Sequence, residues 1–217
     1  MIDTDDRPTV EESYISASNT SNLSVKAERR GDGDVIICAG WSRSRTGQAL
    51  MRLRSEWDAA EKPRAQSAEA IQALARTLSA SEPGPLQLKQ AQDLAANWLL
   101  QAQMELMGKL KSLPDVREQL ALDVVDKWRV IDSRQLIAKV IKHWLSPACS
   151  CCQGRRWQMI PGTPMLSSRA CGECHGGGVA PVPAGEDGRH LLGYIEDCLR
   201  HARGSIGRRL RNTRSKV

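Results

Sequence analysis

Apolar residues recur at helical spacing along most of the chain. Leu50, Leu53 and Trp57 fall at i, i+3 and i+7, and Ile71, Leu74 and Leu78 repeat that spacing after Pro63. The segment SEPGP at 81–85 breaks the pattern. A longer stripe follows, made of Ala91, Leu94, Ala95, Trp98, Ala102, Leu106 and Leu110. Pro114 suits a first helical turn, and Val116, Leu120 and Val124 continue behind it. Asp132 and Gln135 stand at capping-box spacing ahead of Leu136, Val140 and Trp144. Residues 44–146 are therefore expected to form four or five amphipathic helices with short links, as a helical bundle. The tryptophans at helical spacing are expected in its core. His143, near the end of the last of these helices, is expected to be partly buried or capping.

The flanks read differently. Residues 1–43 are mostly polar and aperiodic, with the breaker run GDGD at 31–34, and are expected to be a largely disordered tail. One apolar patch, Val35–Cys38, suggests an isolated strand, or local packing onto the next helix together with Trp41. Pro147 ends the helical pattern, and residues 147–183 are rich in Cys, Gly and Pro. In residues 184–217 a final helix is expected over Asp187–Arg203, carrying Leu191, Leu192, Ile195, Cys198 and Leu199. Gly204 is expected to cap it, ahead of the basic tail SIGRRLRNTRSKV.

Composition narrows the fold class. There is no Phe, only Tyr14 and Tyr194 among tyrosines, and an abundance of helix-favouring Ala, Leu, Gln, Arg and Glu. The fold expected is mainly α, with large β-sandwiches and barrels excluded. No apolar run approaches the ~20 residues of a membrane helix. The acidic, polar N-terminus lacks the features of a secretory signal, so a cytoplasmic setting is expected.

Charge is unevenly spread within a formal net +6. Residues 1–12 hold five acids against Arg7, while residues 200–217 hold seven bases and no acid. Such a basic end attracts polyanions, of which nucleic acid is the commonest inside cells. The candidate nucleic-acid contacts are Arg155, Arg156, Arg208, Arg209 and Arg211, with DNA the expected partner. The chain carries no P-loop, H-E-x-x-H or G-x-G-x-x-G pattern and no triad of histidine partners. Neither catalysis nor a small-molecule substrate is expected.

The distinctive chemistry lies in the cysteines. Cys149, Cys151, Cys152, Cys171 and Cys174 crowd into one segment, while Cys38 and Cys198 lie far away and read as ordinary buried small residues. Cys149 and Cys152, then Cys171 and Cys174, give C-x2-C-x18-C-x2-C, a zinc-site spacing. Two residues between cysteines form a tight turn that aims both sulfurs at one ion. Four thiolates close a tetrahedral shell with Zn–S near ~2.3 Å, leaving no position for a reacting water, so Zn2+ here would be structural. Glycine follows each pair at the same offset, at Gly154 and Gly176, with Gly178 two residues further on. Alternatives within the cluster are Cys151 in place of Cys149, at poorer spacing, and a Cys3His site that uses His175. Between the pairs, Trp157, Met159, Ile160, Met165 and Leu166 suggest a small hairpin surface, made basic by Arg155, Arg156 and Arg169.

The segments CSCCQG and CGECHGGG resemble the cysteine-rich module of the J-domain co-chaperones. Those proteins carry four such motifs and two zincs, whereas this chain has two motifs and no HPD signature. Over about residues 145–180 the chain is also similar to the lambda-type phage late-gene antitermination (Q) proteins, which are mostly helical and carry one inserted zinc module. That resemblance implies Cys149, Cys152, Cys171 and Cys174 as zinc ligands and Gly154, Gly176 and Gly178 as the turns of the knuckles. It also implies binding to promoter DNA and to paused bacterial RNA polymerase, which then passes terminators. A zinc-stapled adaptor that binds protein but not nucleic acid is the alternative reading.

Overall fold

In the computed structural model the described residues are 8–20, 31–41, 44–79, 84–128, 133–159 and 165–212. Among them the chain forms eight helices and one two-stranded sheet. The helices are α1 (Val10–Asn19), α2 (Asp32–Gly40), α3 (Arg45–Ala59), α4 (Ala68–Thr77), α5 (Pro85–Gly108), α6 (Leu113–Trp128), α7 (Ser133–Leu145) and α8 (Gly185–Asn212). Strands β1 (Trp157–Met159) and β2 (Leu166–Ala170) pair antiparallel. The fold is thus mainly helical with a cysteine-rich insertion, as the sequence indicates.

Contacts group the chain into two compact units. The first takes residues 1–58, 111–141 and 183–217, and the second takes 59–110 and 142–182. The helices expected as one bundle over 44–146 are therefore divided: α4 and α5 belong with the cysteine-rich segment.

The first unit includes much of the stretch expected as a disordered tail. Helix α1 starts at a reciprocal capping box, where Thr9 and Glu12 satisfy each other's backbone N–H groups. It buries Tyr14 and Ala17. Helix α2 buries Val35, Cys38 and Ala39, so the apolar patch is helical rather than a strand. Helix α1 packs on α2, and both pack on α8. Tyr14 is anchored further, because its hydroxyl accepts from Arg52 Nε of α3 at 2.9 Å. Helices this short are marginal alone, and it is tertiary packing that holds them.

Helix α8 continues through Gly204 to Asn212 instead of ending at the glycine. Leu191, Ile195, Leu199, Ala202, Ile206 and Leu210 form one buried stripe, so the apolar face runs past the expected cap. Helix α3 crosses α8 closely at Gly47. A Cβ there would collide with the Cys198 carbonyl oxygen and the Ala202 side chain. Polar pairs tie the helices together. Tyr194 of α8 donates to Asp123 of α6 at 2.6 Å, and Thr46 of α3 donates to the same carboxylate oxygen at 3.4 Å. Glu56 of α3 accepts from Ser112 N and Oγ at 3.0 and 2.7 Å, which satisfies orphan donors where α6 begins.

In the second unit α4 packs against α5. Helix α5 is apolar nearly all round, and it is Ala91, Ala95 and Met107 that it buries. Leu94 and Trp98, expected in the core stripe, are about half exposed. Of the other tryptophans at helical spacing, Trp57 is buried and Trp144 is partly buried, so the expected tryptophan core is realised only in part. Trp41 and Trp157, which lie outside that pattern, are exposed.

Candidate metal centre

Two chain reversals build the site. The first runs Cys149–Arg156 and the second Cys171–Gly178, displaced by 22 residues. Each continues past its second cysteine in left-handed backbone. Gln153 and Gly154 have φ of 51° and 80°, and His175 and Gly176 have 49° and 83°. Four residues after the second cysteine both loops return to positive φ, Arg156 at 73° and Gly178 at 76°. Glycine adopts this region freely, whereas Gln, Arg and His do so at a cost.

The two reversals then bond to each other reciprocally. Cys149 N donates to Gly178 O, and Cys171 N donates to Arg156 O, both at 2.9 Å. Within the loops, Arg155 N donates to Cys152 O at 2.9 Å and Gly177 N to Cys174 O at 2.8 Å. The same exchange governs the strands: Trp157 pairs with Ala170, and Ala148 pairs with Val179. Every one of these contacts maps onto its counterpart by the same displacement, so the module is a pseudo-twofold pair of knuckles. At Gly178 a Cβ would lie 3.0 Å from Gly154 O and 3.1 Å from Arg156 Cγ, so close approach as well as backbone sign calls for glycine there.

This packing brings Cys149, Cys152, Cys171 and Cys174 together. Their sulfurs all lie within 4.8 Å of one another. Cys149 and Cys171 are 4.0 Å apart, and Cys152 and Cys174 are 3.6 Å apart. A tetrahedral shell with Zn–S near ~2.3 Å has edges of about 3.8 Å, so the donor set fits a four-coordinate ion. Cys149, Cys152 and Cys171 are buried and Cys174 is partly buried. The thiols themselves form the module's core, and an ion among them could hold it together.

Backbone amides face the sulfurs. Gly178 N donates to Cys174 Sγ at 3.3 Å, and burial raises the Cys152 thiol above its ordinary range although Arg156 N, the counterpart of Gly178 N, and Gly154 N act to lower it. The N–H of Cys174 above all, then that of Glu173 and the thiols of Cys151 and Cys174, hold Cys171 down to about 6. These contacts favour the thiolate of Cys171, the form that binds metal. Cys151 is exposed and lies outside the four-sulfur group. Donating to Cys171 pushes its thiol up to about 11, with burial adding to the shift. His175 is also exposed and outside that group. The alternatives using Cys151 or His175 are thus not the sets the fold assembles.

The candidate arginines are distributed between the units. Arg155 and Arg156 are exposed on the first knuckle, and Arg169 is exposed on β2. Arg208, Arg209 and Arg211 lie on α8, not in a flexible tail, while Arg214 and Lys216 lie outside the described residues. The hairpin expected between the knuckles is present and exposes Trp157, Met165 and Leu166. The Met159 side chain and all of Ile160 lie outside the description.

Among the described residues, no helix is long and apolar enough to cross a membrane. Fold and site together define a mainly helical protein with a cluster of four cysteines that could hold a metal ion. Comparison with family models, with curated proteins and with solved structures yields no match for the chain.

Proposed function

We propose that this chain is a zinc-stapled, nucleic-acid-associated transcription regulator, an antitermination factor that acts on bacterial RNA polymerase. The observation that carries the reading is the reciprocal pair of knuckles. Its sulfurs close around one site, and it displays Arg155, Arg156 and Arg169 beside exposed Trp157, Met165 and Leu166. Cys149, Cys152, Cys171 and Cys174 would hold the ion. Four soft sulfurs at tetrahedral spacing favour Zn2+ and leave no open position, so its contribution is structural. The arginines supply phosphate contacts to DNA. The exposed aromatic and aliphatic side chains supply a protein contact, and the resemblance to the late-gene antiterminators supplies the polymerase as its partner.

A second reading, a zinc-stapled adaptor without nucleic acid, is favoured by the same exposed Trp157, Met165 and Leu166. Capture from nuclease-treated bacterial lysate at physiological salt separates the two. The antiterminator reading expects RNA polymerase on the wild type and its loss with Cys171→Ser/Cys174→Ser. Wild-type protein that retains a different protein and no polymerase would transfer the assignment to the adaptor.

A further inference from the structure

From Cys198 to Asn212, helix α8 carries five arginines and no acid. The fold divides them by task. Arg203 is ion-paired with Glu11 of α1. Arg209 lies over the Trp41 ring, 5.9 Å from its centroid. Arg200 is held at 2.6 Å by Asp197, one turn back on the same helix. Arg208 and Arg211 are both exposed and have no acidic partner among the described residues.

These two arginines share a local arrangement. The Arg208 guanidinium lies 3.9 Å from the position of a Cβ on Gly204, and that of Arg211 lies 3.7 Å from one on Gly207. Each arginine therefore folds back along the helix over a glycine four residues earlier. At Gly204 no side chain lies beneath, so the Arg208 guanidinium lies low against the backbone and a partner can come close to the helix there. Gly207 is itself buried, with Val10 Cγ2 of α1 3.5 Å from its would-be Cβ, so that exposed Arg211 borders the α1 contact. Exposed His201 lies on the same outer face as Gly204 and Arg208, opposite the buried stripe.

We infer that the outer face of the last three turns of α8, built on Gly204, Arg208 and Arg211 with His201 beside them, is a docking surface for double-stranded DNA. The inference rests on the nucleic-acid part of the proposed function and deepens it. It replaces a tail of interchangeable charges with a helix face on which Arg208 and Arg211 bind phosphate, while Arg203 and Arg209 serve the fold. From Arg200 to Arg211 the face is about 16 Å long. A B-form major groove, about 12 Å wide, admits such a helix, whereas the deep, narrow A-form groove does not. Asp197 and Glu186 lie on the same outer side toward the N-terminal end of α8, so contact is confined to the C-terminal turns.

The test is binding of the full chain to fluorescent duplexes, one DNA and one RNA, across a salt series. Releasing two phosphate contacts should flatten the log–log slope by about 1.8 for B-DNA. Arg208→Gln/Arg211→Gln should show that loss on DNA, while Arg189→Gln, an equally exposed arginine near the start of α8, should leave the slope unchanged. Wild-type binding with an unchanged slope in the double variant, an equal loss with Arg189→Gln, or an equal loss on both duplexes would overturn the helix face alone. Absence of any salt-dependent binding by the wild type would overturn the nucleic-acid reading beneath it.

Discussion

At the scale of residues, two kinds of glycine have opposite consequences. Gly47 lies where α3 crosses α8, and a Cβ there has no room. Gly193 lies within α8 with nothing within 4 Å of a would-be Cβ, and it carries only the entropic cost of a helical glycine. Gly47→Ala should therefore destabilise by about 1–3 kcal/mol through overpacking. Gly193→Ala should stabilise by about 0.5–1 kcal/mol. Urea unfolding of the two variants checks both signs. The four clustered cysteines and the knuckle glycines were legible in the sequence, because bringing two sulfurs to one point is a constraint on a few adjacent residues. The left-handed Arg156 was not. Its conformation follows from pairing with the second knuckle, and arginine gives no local signal for positive φ.

At the scale of elements, the bond joining α6 to α8 has a pH signature. Burial first, then the hydrogen bond to Asp123, raises Tyr194 far above its ordinary range. The unfolded chain loses that proton near pH ~10, while the folded chain keeps it. The stabilisation is therefore complete below pH ~10 and falls as pH climbs from there toward the raised folded value. Tyr194→Phe should cost about 1 kcal/mol at neutral pH through the lost bond. Its stability relative to wild type should then recover above pH ~10. Unfolding midpoints of the two proteins across that range provide the check, and a constant difference would contradict it.

Elements were read best where the apolar stripe is long. Helix α8 was legible but cut short, because Gly204 looked like a cap while Ile206 and Leu210 carried the stripe onward. Helices α1 and α2 escaped notice, because each buries only a few small or isolated side chains amid polar sequence. The spacing of Thr9 and Glu12 was the available signal for α1. In α5 the periodicity found a stripe but misplaced the buried face. A helix with apolar residues on every side does not announce which side a neighbour will cover.

At the scale of the whole molecule, two units are stabilised by different means. The unit containing α1–α3, α6 and α8 rests on packed apolar faces and paired polar groups. The cysteine module has sulfur where an aliphatic core would be, so an ion bound there would couple its folding to metal. Sequence alone indicated both means, since helical periodicity and cysteine spacing are local patterns. The assignment of α4 and α5 to the unit of the cysteine module depends on contacts between distant segments, which no single stretch of sequence encodes.

The central claim is that Cys149, Cys152, Cys171 and Cys174 form one closed zinc staple. Native mass spectrometry of the zinc-supplied full chain, paired with circular dichroism before and after chelation, tests it most directly. The account predicts one zinc per chain, none in Cys171→Ser/Cys174→Ser, and a helical signal largely retained after chelation as residues 147–183 unravel. A metal-free wild type, zinc retained by the double variant, or loss of the entire helical signal on chelation would contradict it.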